Sequence, residues 1–297
     1  MRFGLAVARR LMSRLPRVFA RRAVPMLHGL IGGLSLSISV LATSSAVAEQ
    51  GHCMAAGLAG GCIQTATKDA EGNLVPGMHV YFTDPTERYR HGVLGDSVEW
   101  GGLAYVQQGS AGHGPYAMDA IVLPKDHVFE DLTPRLADVT GDGRAEIIVI
   151  ETDVNQGAAL AIYQITDGTL SKLAETPHIG TSNRWLAPLG AADLDGDGAV
   201  ELAYVDRPHL AKTLRVWRFS DGGLSEMAAI SGVTNHRIGE DFISGGIRDC
   251  GDGPEMITAD ARWNRVIATR FQDGELQPSD IGAFAGRGSF DAAMACE

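Results

Sequence analysis

The strongest chemical signature in the chain is the run Asp193-Leu-Asp-Gly-Asp-Gly-Ala-Val-Glu201. Asp193, Asp195 and Asp197 alternate, so a tightly curled loop turns their carboxylates toward one point. Gly196 and Gly198 supply the backbone freedom that such a curl needs. The Ala199 carbonyl and the Glu201 carboxylate complete an oxygen cage, and calcium takes about six to eight oxygens in flexible cages of this kind. Carboxylates crowded together without a cation repel one another, which favours a bound ion. The run is not an EF-hand. Tyr204 stands where that motif needs a glutamate, and Leu202-Ala-Tyr-Val205 reads as a strand.

A weaker copy, Asp138-Val-Thr-Gly-Asp-Gly-Arg-Ala-Glu146, begins 55 residues earlier. It offers Asp138, Asp142 and Glu146. Thr140 replaces the second aspartate and brings a hydroxyl or a bridging water, and Arg144 brings its carbonyl. A third copy, Asp249–Glu255, has Arg248 and Cys250 where the first two carboxylates belong and is one residue short. A fourth, near Gly95-Asp-Ser-Val-Glu-Trp100, is more eroded. Neither of these two is expected to hold metal. The alternative for every copy is an acidic surface turn. A metal held in such a loop would be structural, because nothing in the spacing provides an open coordination position beside a substrate.

Each loop must be positioned by strands. Asp167-Gly168, Asp221-Gly222 and Asp273-Gly274 each follow an alternating apolar run, as in Leu214-Arg-Val-Trp-Arg-Phe219. Asp-Gly between two such runs signals a tight hairpin. A third element recurs as Thr181-Ser-Asn-Arg184 and Thr234-Asn-His-Arg237. One repeat therefore reads as four short strands in about 50 residues, the size of a propeller blade. The expected fold is all-β, a propeller of four to five blades, with blades near 91–130, 131–177, 178–231 and 232–280. Segments 78–90 and 281–291 are expected to pair and close the ring, since closure removes the exposed sheet edge. An open sandwich of repeated hairpins is the alternative.

The two intact loops and their following strands resemble FG-GAP/VCBS-type repeats, which are similar to those of integrin α-subunit heads. The resemblance covers roughly 130–260 well and 91–130 weakly. It implies a propeller fold and a calcium loop, and it implies no particular ligand.

The first 48 residues hold seven Arg and no Lys, Asp or Glu, followed by an apolar stretch from about Met26 to Leu41 and by Ala46-Val47-Ala48. This is the order of a secretory signal peptide with an A-x-A cleavage site, so the mature chain is expected to begin at Glu49, in the periplasm or outside the cell, with no stable membrane insertion after cleavage. Residues 49–77 read as a Gly/Ala-rich lead-in, and 78–297 as one propeller domain. All four cysteines lie beyond the cut, and an even number in an exported chain reads as disulfides. Three pairings are open; Cys53–Cys62 and Cys250–Cys296 are favoured.

Removing residues 1–48 leaves 18 basic against 36 acidic side chains, a formal charge of −18. No basic footprint for a nucleic acid exists. The histidines are scattered, with no HExxH pair, and no GxSxG elbow or P-loop appears. The expected function is a calcium-binding scaffold module for a protein or glycan, not an enzyme, with Trp185, Trp217 and Trp263 as contacts if they are not core. The alternative is a propeller hydrolase or lyase acting on a polymer, which a convergent His/Asp/Glu/Arg cluster in the central funnel would favour.

Overall fold

A computed structural model of the chain describes residues 62–68, 74–107 and 117–297. The chain divides into two units, Met1–Ala48 and Glu49–Glu297. The first unit, with the expected signal segment, lies outside the described residues, and so do Cys53 and its expected bridge to Cys62.

Every sheet pairing is antiparallel, and the strands run as four successive meanders. The first holds β1 (Cys62–Lys68), β2 (Leu74–Thr86), β3 (Glu99–Gln107) and β4 (Ala117–Val122). The second holds β5 (His127–Phe129), β6 (Arg135–Ala137), β7 (Glu146–Asp153), β8 (Gly157–Thr166) and β9 (Thr169–Glu175). The third holds β10 (Leu186–Ala192), β11 (Glu201–Asp206), β12 (Thr213–Ser220) and β13 (Gly223–Ser231). The fourth holds β14 (Val233–Thr234), β15 (Gly246–Asp249), β16 (Pro254–Asp260), β17 (Arg265–Gln272) and β18 (Glu275–Ala283). The first two meanders share one sheet through the single pair Trp100 and Phe129. A broken first strand marks the second and fourth meanders: β5 and β6 both pair with β7, and β14 and β15 both pair with β16.

The Asp-Gly hairpins form as the sequence predicts. Asp167 and Gly168 join β8 to β9, Asp221 and Gly222 join β12 to β13, and Asp273 and Gly274 join β17 to β18. All six residues have φ between 52° and 79°. This left-handed pair twists with its flanking strands, whereas the common right-handed turns splay them.

Period-two alternation makes the second, third and fourth meanders walls with two apolar faces. Ile147 and Val149 of β7 join Phe82, Leu103 and Tyr105 of the first meander, while Ile148 and Ile150 join Leu186, Leu202 and Tyr204 of the third. One residue further along in the same register, Ala203 and Val205 of β11 turn to Met256 and Phe271 of the fourth. The outer face of the fourth meander, with Ile257, Ala259, Val266 and Ala268, is covered by Phe290 and Ala293 of α1 (Arg287–Met294).

The expectation that 78–90 and 281–291 pair to close a ring is overturned. β2 lies between β1 and β3, and β18 pairs with β17. Residues 287–294 are helical, because that segment has an apolar face to cover and not a strand edge. The first meander also starts earlier than expected, with β1 inside the stretch read as a lead-in. Loops link the first and fourth meanders: the Gly239 N–H donates to the Val93 carbonyl at 3.1 Å. Cys250 and Cys296 form a disulfide that ties the C-terminus to the loop between β15 and β16. Among the described residues, no helix is long and apolar enough to cross a membrane.

Candidate metal centre

Loop 193–201 connects β10 to β11, and loop 138–146 connects β6 to β7. One hydrogen-bond skeleton shapes both. The first aspartate caps the curl: Asp193 accepts from the N–H groups of Gly196 at 2.8 Å and Gly198 at 3.0 Å, and Asp138 from Gly141 at 2.8 Å and Gly143 at 2.9 Å. These four glycines have φ between 74° and 92°, a region that side-chain-bearing residues enter only at a cost. The central aspartate holds the exit: Asp197 accepts from Ala199 N–H at 2.9 Å, and Asp142 from Arg144 N–H at 2.8 Å. The closing glutamate braces the base of the loop. Glu201 accepts from Leu194 N–H at 2.8 Å, and Glu146 from Val139 N–H at 2.9 Å and Thr140 N–H at 3.2 Å.

Asp193, Asp195 and Asp197 come together, with carboxylate oxygens within 4.8 Å of one another, and this cluster could hold a metal ion. Glu201 stands behind them. It is fully buried, and burial pushes its carboxyl above the ordinary range against the pull of the Leu194 N–H and Arg218. In the first loop Thr140 turns its hydroxyl to Glu146 at 3.3 Å, and the guanidinium of Arg144 binds Asp142 at 2.7 Å. That hydrogen bond, ahead of the partial burial that opposes it, holds Asp142 below the usual carboxylate range.

Sequence reasoning missed Arg218. It lies on β12 directly across from Glu201. Its guanidinium reaches Asp197 at 2.8 Å, Asp195 at 3.0 Å and the Glu201 carboxylate. One cation thus sits against three of the four loop carboxylates, and it donates hydrogen bonds that favour their charged forms. The third copy carries the same cross-strand pair, with Arg270 donating to Glu255 at 2.9 Å, and adds Arg248 at 2.8 Å. Burial works against the Glu255 charge, and the two guanidinium groups outweigh it, so this carboxyl lies below the usual range. Asp249, not Arg248, takes the capping role there, accepting from Gly251 at 2.7 Å and Gly253 at 3.1 Å. In the eroded copy, Glu99 opens β3 buried and without a guanidinium partner among the described residues, and desolvation, with Glu130 beside it, pushes it up to about 9.

Trp185 and Trp217 are core residues, and the Trp185 indole N–H donates to the Glu130 carbonyl at 2.7 Å. Trp263 lies under the guanidinium of Arg237, 4.2 Å from its ring centre.

Residues 138–204 match the family model of the FG-GAP-like repeat. The chain carries an FG-GAP-like repeat. The matched repeat segment begins at the first loop and ends within β11, so it contains both intact loops. No curated protein matches the chain. A solved structure of a protein from Lactobacillus plantarum is similar over 70% of this chain and 54% of that one, at 11% identity and a TM-score of 0.39. The chain therefore spans about half that protein's length.

Proposed function

We propose that this chain is an exported β-propeller in which structural calcium braces loop 193–201 and, more weakly, loop 138–146, and that it serves as a binding module for a protein or glycan. The observation that carries the metal reading is the convergence of Asp193, Asp195 and Asp197 in a loop whose backbone is already held in place. The repeat match over both loops supports it. The donor set is all oxygen, which suits a hard cation. Asp193, Asp195, Asp197, the Ala199 carbonyl and Glu201 would hold the ion in the second loop, and Asp138, Thr140, Asp142, the Arg144 carbonyl and Glu146 in the first. Calcium would supply the positive charge that Arg218 alone supplies too little of.

Four meanders stacked face to face, with the first and fourth joined by their loops, support the propeller arrangement. The reading of the N-terminus as a signal supports export.

Thermal unfolding in calcium and in chelator tests the metal. An ion that binds only the folded state stabilises it by about 2.7 kcal/mol at a hundredfold excess over Kd. For a domain of this size that is a rise in Tm of roughly 5–10 °C. Equal midpoints in calcium and chelator would refute the proposal.

A further inference from the structure

A second site lies where loops of the first, third and fourth meanders meet. It is a cavity of about 270 Å³ lined by His91 from the first meander, Arg184, Arg207, His209 and Leu210 at the edges of the third, and Ile238 from the fourth. Behind His91 stands Glu130 of the second meander, fully buried in the break between β5 and β6 and outside the lining.

The histidines are fixed in place. His91 Nδ1 and Oε1 of Glu130 share a hydrogen bond at 2.5 Å, and Thr152 donates its hydroxyl to the other oxygen at 2.8 Å. Nε2 of His91 remains as the ring's other polar atom. His236 must donate through Nε2 to the Glu240 carbonyl at 2.9 Å, because a carbonyl only accepts. Its Nδ1 then accepts from Nε2 of His209 at 3.0 Å. Burial, then the neighbouring His236, pulls His209 down to about 4, so this pair is uncharged near neutral pH.

Two arginines supply the charge. Arg207 is held by Asp206 through Nε at 2.7 Å and Nη2 at 2.9 Å, which leaves Nη1 outside that pair. Arg184 donates to the Asn183 carbonyl at 2.7 Å, and among the described residues it meets no carboxylate. Its counterpart in the repeated Thr-x-x-Arg element, Arg237, is committed to Trp263. Asn183 and Arg207 hold φ of 54° and 45°, strained values for residues with side chains, and such strain concentrates at ligand sites. None of the residues lining the cavity is acidic, in a chain with 36 acidic and 25 basic side chains. Leu210 and Ile238 are 62% and 72% exposed at its rim.

We infer that this cavity binds the carboxylate of a small organic acid, with Arg184 and the free edge of Arg207 taking the charge, His91 a polar contact, and Leu210 and Ile238 the apolar part. A planar guanidinium fork matches a carboxylate, and a single uncommitted cation suits a monoanion. No residue of the cavity belongs to either acidic loop, so this proposal and the calcium reading succeed or fail separately.

Titration calorimetry of the purified protein with benzoate, and separately with inorganic phosphate, tests it. Benzoate should bind, phosphate should bind at least tenfold more weakly, and Arg184→Ala should weaken benzoate at least tenfold while the unfolding midpoint holds. Arg184→Lys should retain part of the affinity, and it decides the matter if the alanine variant fails to fold. Absence of benzoate binding at millimolar concentration, phosphate binding as tight as benzoate, or an Arg184 variant with unchanged affinity would each overturn the assignment.

Discussion

Loop 193–201 and loop 249–255 occupy the same place in successive repeats and neutralise the same inward glutamate by different means. In the earlier loop one guanidinium, Arg218, faces Asp195, Asp197 and Glu201, and Asp193 adds a further negative charge. In the later loop Glu255 lies between Arg248 and Arg270, and Cys250 inside the loop is bridged to Cys296. The later loop carries its counter-charge and its crosslink within the chain. The earlier one is left with more carboxylates than cationic partners. The later repeat thus keeps the loop's shape with two arginines and a covalent tie around its glutamate.

Removing the tie should have the largest effect. Replacing Cys250 and Cys296 by serine frees a loop of 46 residues, and the loop-entropy relation gives a loss of about 4 kcal/mol. Chemical denaturation should show that loss equally in calcium and in chelator, since the proposed ion sites lie in the other two loops. Next comes Arg218→Met. It strands the fully buried Glu201, and breaking one side of a buried pair costs about 3 kcal/mol. The loss should be full in chelator and smaller in calcium; an equal loss in both would show that the ion and the guanidinium do not share the same carboxylates.

Glu99 extends the comparison to a copy whose glutamate has no guanidinium partner among the described residues. Its carboxyl titrates at about 9 in the fold against an ordinary 4.5. The folded state keeps a proton that the unfolded chain releases, so stability is undiminished below about pH 4.5 and falls as pH rises toward 9. The slope is up to about 1.4 kcal/mol per pH unit. Glu99→Gln should flatten that decline in a denaturation series across pH, and a decline that persists in the variant would assign it to other groups.

Much of this was legible in the sequence. The Asp-Gly turns located three hairpins because only a left-handed pair fits a two-residue hairpin. The nine-residue loops were legible because aspartate and glycine alternate in them for a backbone reason that the hydrogen bonds make plain. Arg218 was not legible. Its place opposite Glu201 depends on the register of β11 and β12, and the turn between them, 207–212, has no Asp-Gly signal to set it. The cavity was hidden for a related reason: His91, Arg184, His209 and Ile238 lie on irregular segments of three repeats, and only the stacking of the walls brings them to one point. The helix over the last wall was read as strand because an amphipathic segment of eight residues is too short for its period to declare itself.

That helix has a further consequence. The face of the last wall is apolar, like the faces buried between the walls before it. Left bare, Ile257, Ala259, Val266 and Ala268 would form an exposed apolar patch. Phe290 and Ala293 occupy that face from within the same molecule, and the Cys296 bridge anchors the helix that carries them. The C-terminal helix thus works as a built-in lid that keeps an adhesive surface away from other molecules.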